Sequence, residues 1–117
     1  MNLTQPETIS FAEFAKVDIR VGRIVNVEDF AKARKPAYKV WVDLGELGVK
    51  KSSAQVTRLY AKEELVGKLV LAVVNFPPKQ VADFMSEVLI LGVPGRNSDE
   101  VILVRPDKDA PLGGRLY

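Results

Sequence analysis

The residues from 17 to 27 alternate. Val17, Ile19, Val21, Val25 and Val27 share one face of an extended strand, and Asp18, Arg20 and Asn26 share the other. Gly22 sits in the middle of this run, where a glycine marks a bulge or a sharp bend. A long, bent first strand is what a small barrel needs to pass from one sheet to the other. Alternation returns over 38–44, with Tyr38, Val40, Val42 and Leu44 directed inward and Lys39, Trp41 and Asp43 outward. Gly45-Glu46-Leu47-Gly48 reads as a tight turn, so 49–56 is expected to return as a hairpin partner.

The flanking segments fill in the topology. Ser10 and Glu13 have capping-box spacing, with Ile9 and Phe14 placed as a hydrophobic staple. They predict a short helix over 11–16 that presents Phe11 or Phe14 as a plug for one end of the barrel. Residues 57–66 read as a second helix, stopped by Gly67 at the C′ position. Residues 68–75 form an apolar strand broken by Phe76-Pro77-Pro78. A loop runs through Phe84 to a strand over 86–91, a turn follows at 94–99, and 101–105 is the last clear strand. The tail, 106–117, carries two prolines and Gly113-Gly114 and reads as a packed extended segment. Three strands, a helix and two more strands suit an all-β, five-stranded Greek-key barrel of the OB type, with short helices and terminal extensions. A split β-α-β arrangement is the runner-up, but it needs longer helices than these.

A length of 117 residues makes this one domain, with its core at about 14–106. The longest apolar run, 69–74, is far shorter than the ~20 residues of a spanning helix, so membrane insertion is not expected. The opening residues show neither the basic nor the apolar region of a secretion signal, which predicts a cytoplasmic location. The chain has no cysteine and no histidine. Thiol nucleophiles, thiolate metal sites and His-dependent acid–base catalysis are therefore excluded, and zinc is disfavoured. No catalytic residue, metal site or cofactor is expected.

The net charge is only +2, but residues 32–58 carry seven Lys and Arg against Asp43 and Glu46, a local +5. Such a patch suits an anionic partner or is simply a solvated surface. Within and beside it lie Arg34, Lys35, Lys39, Trp41, Lys51, Ser53 and Gln55. Strands two and three form the recognition face of OB folds, and an exposed aromatic among cations suits single-stranded nucleic acid. The alternative is that Trp41 covers the barrel flank or enters a subunit interface. A second group, Phe76, Pro77, Pro78, Phe84 and Met85, suits an adaptable peptide groove, with Trp41 beside it. Phe84 and Met85 also suit a barrel plug or a subunit contact. The adjacent acidic pairs Glu28-Asp29 and Glu63-Glu64 read as solvated surface.

Asp18-Ile19-Arg20-Val21-Gly22-Arg23-Ile24, Tyr60 with Glu63 to Lys68, Val74-Asn75-Phe76-Pro77-Pro78 and Ser86-Glu87 together resemble the tRNA-binding domain family. The resemblance spans about 14–106. Ala33 to Lys39, Lys50 to Gln55 and Phe84 to Leu89 are more similar to the secretion-chaperone branch of that family, the CsaA type. That branch implies a cytosolic OB-fold homodimer that binds unfolded or preprotein polypeptide in support of export, with the export machinery as a further partner. The wider family implies tRNA or other RNA as the alternative ligand, with Asn75, Lys79 and Ser86 at positions linked to RNA binding. The sequence departs from the wider family at Lys35-Pro36, Ser53-Ala54-Gln55 and Ser86-Glu87-Val88-Leu89, where a His-Pro pair and glycines are usual.

Overall fold

The computed structural model describes residues 6–117. A five-stranded antiparallel sheet is built from β1 (Ile19–Asp29), β2 (Tyr38–Asp43), β3 (Val49–Ala54), β4 (Leu69–Val73) and β7 (Leu89–Ile90), in the order β3-β2-β1-β4-β7. It curls into a nearly closed barrel. The seam between β3 and β7 is closed by only a few bonds. Glu87 donates its backbone N–H to the Lys51 carbonyl at 2.7 Å, and the Glu87 carboxylate accepts the Lys51 N–H at 3.1 Å. Ser86 Oγ accepts the Ser53 N–H at 3.0 Å. Two small hairpins complete the chain: β5 (Lys79–Val81) with β6 (Phe84–Ser86), and β8 (Gly92–Pro94) with β9 (Val101–Leu103). The all-β barrel expectation holds.

The first strand is long and bent, but its bulge is not at Gly22. Pairing with β2 slips between Ile24 and Asn26, so Val25 is the extra residue and is 43% exposed. The phase of the alternation is therefore different from the expected one. Gly22 and Ile24 point into the core, whereas Val17 is exposed and Ile19 and Val21 lie along the tail. Gly22 is needed for close approach: a Cβ there would lie 2.3 Å from Val42 Cγ1 and 2.8 Å from Leu44 Cδ2. Inside the barrel Ile24, Val40, Val42, Leu44, Leu65 and Val70 are almost wholly buried. The expected inward face of β2 is correct.

Helix α1 (Phe11–Ala15) has the predicted capping box, with Ser10 Oγ accepting the Glu13 N–H at 3.1 Å and Glu13 Oε1 accepting the Ser10 N–H at 3.0 Å. It is not a plug. Phe11 is 74% exposed and no residue of the helix is buried. Leu65, from α2 (Lys62–Leu65), fills the core instead. That helix is one turn, shorter than the expected 57–66. Val56 is drawn into the core, and Tyr60 is fixed at both ends, its carbonyl accepting from Tyr38 Oη and its hydroxyl from the Leu103 N–H. These tertiary bonds leave 57–60 as a turn.

The segment expected as a loop before Phe84 is the β5–β6 hairpin, reversed at Ala82, whose φ is +52°. Residues 86–91 are interrupted rather than one strand, and β8 is an additional strand. The tail is extended and packed, as expected. Val21 exchanges bonds with Gly113 and Gly114, Leu116 donates to Ile19, and Arg115 bridges to Arg20. Among the described residues no helix is long and apolar enough to cross a membrane.

Candidate binding groove

The outer face of β2 and β3 carries a second, smaller core. Phe84 from β6 is inserted between loop and sheet, its ring centre 5.4 Å from that of Phe30 and 6.0 Å from that of Trp41, both edge-on. Ala37 is buried with it, and Ala33 and Val81 pack around it. Cross-strand register sets Lys39 beside Ser53 and Trp41 beside Lys51. The Lys39 ammonium lies 5.1 Å from the Phe30 ring centre and 5.5 Å from that of Phe84, and the Lys51 ammonium lies 5.1 Å from Phe84. Cation–π attraction holds both lysines over the aromatic faces.

This arrangement corrects one expectation. Trp41 is half-buried against Phe84 rather than an exposed stacking platform. The hairpin that carries Phe84 covers the strand face, so Trp41 covers the barrel flank.

Beside this small core the loop 31–37 and the β5–β6 hairpin enclose an open groove of about 1330 Å³. Its floor is Ser53, Gln55 and the stretch 86–89; Arg34 and Lys35 flank it on the loop side, and 79–82 on the hairpin side. Phe76 and Pro77 stand at one end, Phe76 being 54% exposed. At the hairpin turn, Lys32 and Asp83 join loop to hairpin through an exposed ion pair of 2.9 Å. That contact raises the Lys32 pKa and lowers that of Asp83 through the shared hydrogen bond. Among the described residues Arg34, Lys35 and Lys79 make no ion pair, so the groove presents three uncommitted cations around a mainly apolar lining.

Of the residues singled out from sequence, the groove brings together Arg34, Lys35, Ser53, Gln55, Phe76, Pro77, Lys79 and Ser86. Lys39, Trp41 and Lys51 lie on the aromatic core instead, and Met85 is exposed outside the groove. Asn75 lies at a smaller neighbouring pocket of about 370 Å³. Its side chain is occupied: Oδ1 accepts the Asp18 N–H at 3.0 Å and Nδ2 donates to the Lys16 carbonyl at 2.7 Å. Ser86 combines a place on the floor with its bond across the barrel seam. Sequence reasoning did not find Gln80, Val81, Ala82 or Val88 as groove residues. The apolar–polar pattern of 79–82 carries no signal of a strand edge, and only the hairpin makes it one.

A family model described as "Putative tRNA binding domain" matches residues 19–115. The methionine–tRNA ligase of Thermococcus kodakarensis is 38% identical over 110 residues, which cover 94% of this chain and 14% of the ligase. The chain thus spans only a small part of the curated relatives it matches. Two solved structures agree with it over their whole length. The chaperone CsaA from Bacillus anthracis has a TM-score of 0.88 and 43% identity, covering 95% of this chain and 100% of that one. The CsaA chaperone protein from Picrophilus torridus has a TM-score of 0.85 and 49% identity, covering 94% of this chain and 100% of that one.

Proposed function

The chain belongs to the tRNA-binding domain family, and from that premise we propose that it is a non-catalytic chaperone holding unfolded or preprotein segments in the groove. The observation that carries this reading is the groove's chemistry. A mainly apolar cleft with Arg34, Lys35 and Lys79 at its margins suits an extended polypeptide with apolar side chains and acidic neighbours. Likeness to two CsaA chaperones over nearly the whole chain supports it. The protein acts in the cytoplasm in support of export, as a homodimer. The exposed apolar residues of α1 and the tail, Phe11, Leu116 and Tyr117, supply surface for the subunit contact.

The second reading is tRNA or single-stranded RNA on the same groove. It is favoured by the family and by the same three cations, which would track phosphates. The half-buried Trp41 and the occupied Asn75 side chain count against it as a stacking, base-reading site.

Binding of labelled tRNA and of a labelled unfolded peptide, each at about 50 and about 200 mM salt, separates the two. Peptide binding that persists at the higher salt, beside tRNA binding that collapses, is the expected result. Tight, salt-sensitive tRNA binding with no peptide signal would overturn the chaperone reading.

A further inference from the structure

A strand that turns one face to a cleft contributes every second residue to it, because side chains alternate across the pleat. The hairpin side of the groove is different: Lys79, Gln80, Val81 and Ala82 line it consecutively. The groove therefore runs along the edge of β5, where the main chain itself is presented. Among the described residues no other element uses that edge; within it Gln80 Nε2 donates to the Ala82 carbonyl at 2.9 Å, which leaves the main chain of 79–81 as the part available. β5 pairs only with β6, and among the described residues no backbone bond reaches Lys79, Gln80 or Val81 from any other element. Its length is limited by Pro78, which has no N–H, and by the turn at Ala82. A short edge closed by proline resists indiscriminate sheet pairing while leaving a few main-chain groups available.

We propose that a polypeptide bound in the groove adds to the free edge of β5 as an extra strand, so that recognition is through its main chain. This rests on the polypeptide reading above and states how that ligand is held. Main-chain bonding is independent of sequence, and it supplies affinity for any extended segment while the apolar parts of the lining, Phe76, Pro77, Val88 and Leu89, and the cations select among side chains. The occupant is an extended peptide with apolar and acidic residues. Its charge complements Arg34, Lys35 and Lys79, and its backbone offers the alternating N–H and C=O groups that a strand edge requires. RNA has no such ladder.

The test uses the full chain and a fluorescein-labelled octapeptide of alternating Val and Glu. Two derivatives are compared with it, one N-methylated at alternate central amides and one at consecutive central amides. Alternate methylation leaves one peptide edge clean, and that derivative is expected to bind nearly as the parent does. Consecutive methylation blocks both edges and is expected to weaken binding by about tenfold or more, as the loss of about two hydrogen bonds requires. In parallel, exchange of those amides within 79–82 that face away from β6 is expected to slow when the parent peptide saturates the protein and to stay unchanged with tRNA. No binding of the parent peptide would overturn the polypeptide reading itself. Parent binding with equal affinity for the consecutively methylated peptide and no slowing at 79–82 would overturn strand addition alone. Slowing by tRNA would assign the edge to RNA contact and overturn the proposal.

Discussion

The ring of Trp41 meets the ring of Phe84 at 79°, their centres 6.0 Å apart. This contact ties the hairpin that flanks the groove to the second strand of the barrel. Edge-to-face pairs of this kind add to the burial of the rings themselves. Phe84 also meets Phe30 and lies under the ammonium groups of Lys39 and Lys51, so one side chain organises loop, hairpin and sheet.

Phe84→Ala should therefore cost about 3–5 kcal/mol, the usual range for truncating a buried phenylalanine. Urea unfolding measures the loss. Trp41 is the only tryptophan, so its emission should shift to the red in the folded variant as the ring gains water. An unchanged midpoint and an unchanged emission maximum would mean that Phe84 does not support this face.

At Gly22 the first strand packs closely against side chains of its paired neighbour, β2. A methyl group there would meet Val42 and Leu44, which are fully buried and cannot turn aside. Gly22→Ala should destabilise the fold by about 1–3 kcal/mol through overpacking, with a lower melting temperature in calorimetry. A melting temperature equal to that of the parent chain would show that the wall yields at this point.

Much of this architecture was legible because it is periodic or local. The inward face of β2, the hairpin into β3 and the Ser10–Glu13 box follow from residue spacing alone. The bulge at Val25 was not legible, because valine is an ordinary strand residue and the slip exists only relative to β2. The groove was half legible. Its cations and Phe76 stood out as residue types, whereas Gln80 and Val81 become important only when β5 is left without a second neighbour. Asn75 and Ser86 stood out by family resemblance, yet their side chains are bonded within the framework.

Acid sensitivity should centre on Asp18. Its carboxylate receives Arg20 Nε at 2.6 Å and Nη2 at 3.3 Å, and Arg115 Nε lies 3.4 Å away. The hydrogen bond from Arg20, reinforced by the charges of Arg20 and Arg115, lowers the Asp18 pKa against the opposing effect of burial. A carboxylate depressed in the folded state contributes stability above its unfolded pKa of ~3.9, and that stability is lost as pH falls through the folded value. Asp18→Asn should thus cost about 1–2 kcal/mol at pH 7, within the range for charge-assisted bonds partly open to solvent. The variant should lose less stability than the parent between pH 5 and pH 2, read by urea unfolding across that range. Parallel pH profiles for the two proteins would remove Asp18 from the acid response.

Lys79 and Lys51 separate the groove from the strand face beside it. Lys79 lines the groove without an ion-pair partner among the described residues, whereas the Lys51 ammonium rests on Phe84 outside the groove lining. Reversing a rim charge removes one weak attraction and adds a comparable repulsion, each about 0.2–1 kcal/mol. Lys79→Glu should then weaken an acidic peptide by about 2- to 30-fold at low salt and by less when salt screens the rim. Lys51→Glu should leave peptide affinity within about twofold, because the charge it alters rests on the Phe84 ring and not in the groove lining. Titration of both variants with the same peptide and with tRNA, at two salt concentrations, supplies the comparison. Equal losses of peptide affinity from the two reversals would place the ligand on the β2–β3 face. An RNA contact through Lys79 would instead lower the slope of log K against log salt by ~0.7 for the single phosphate released.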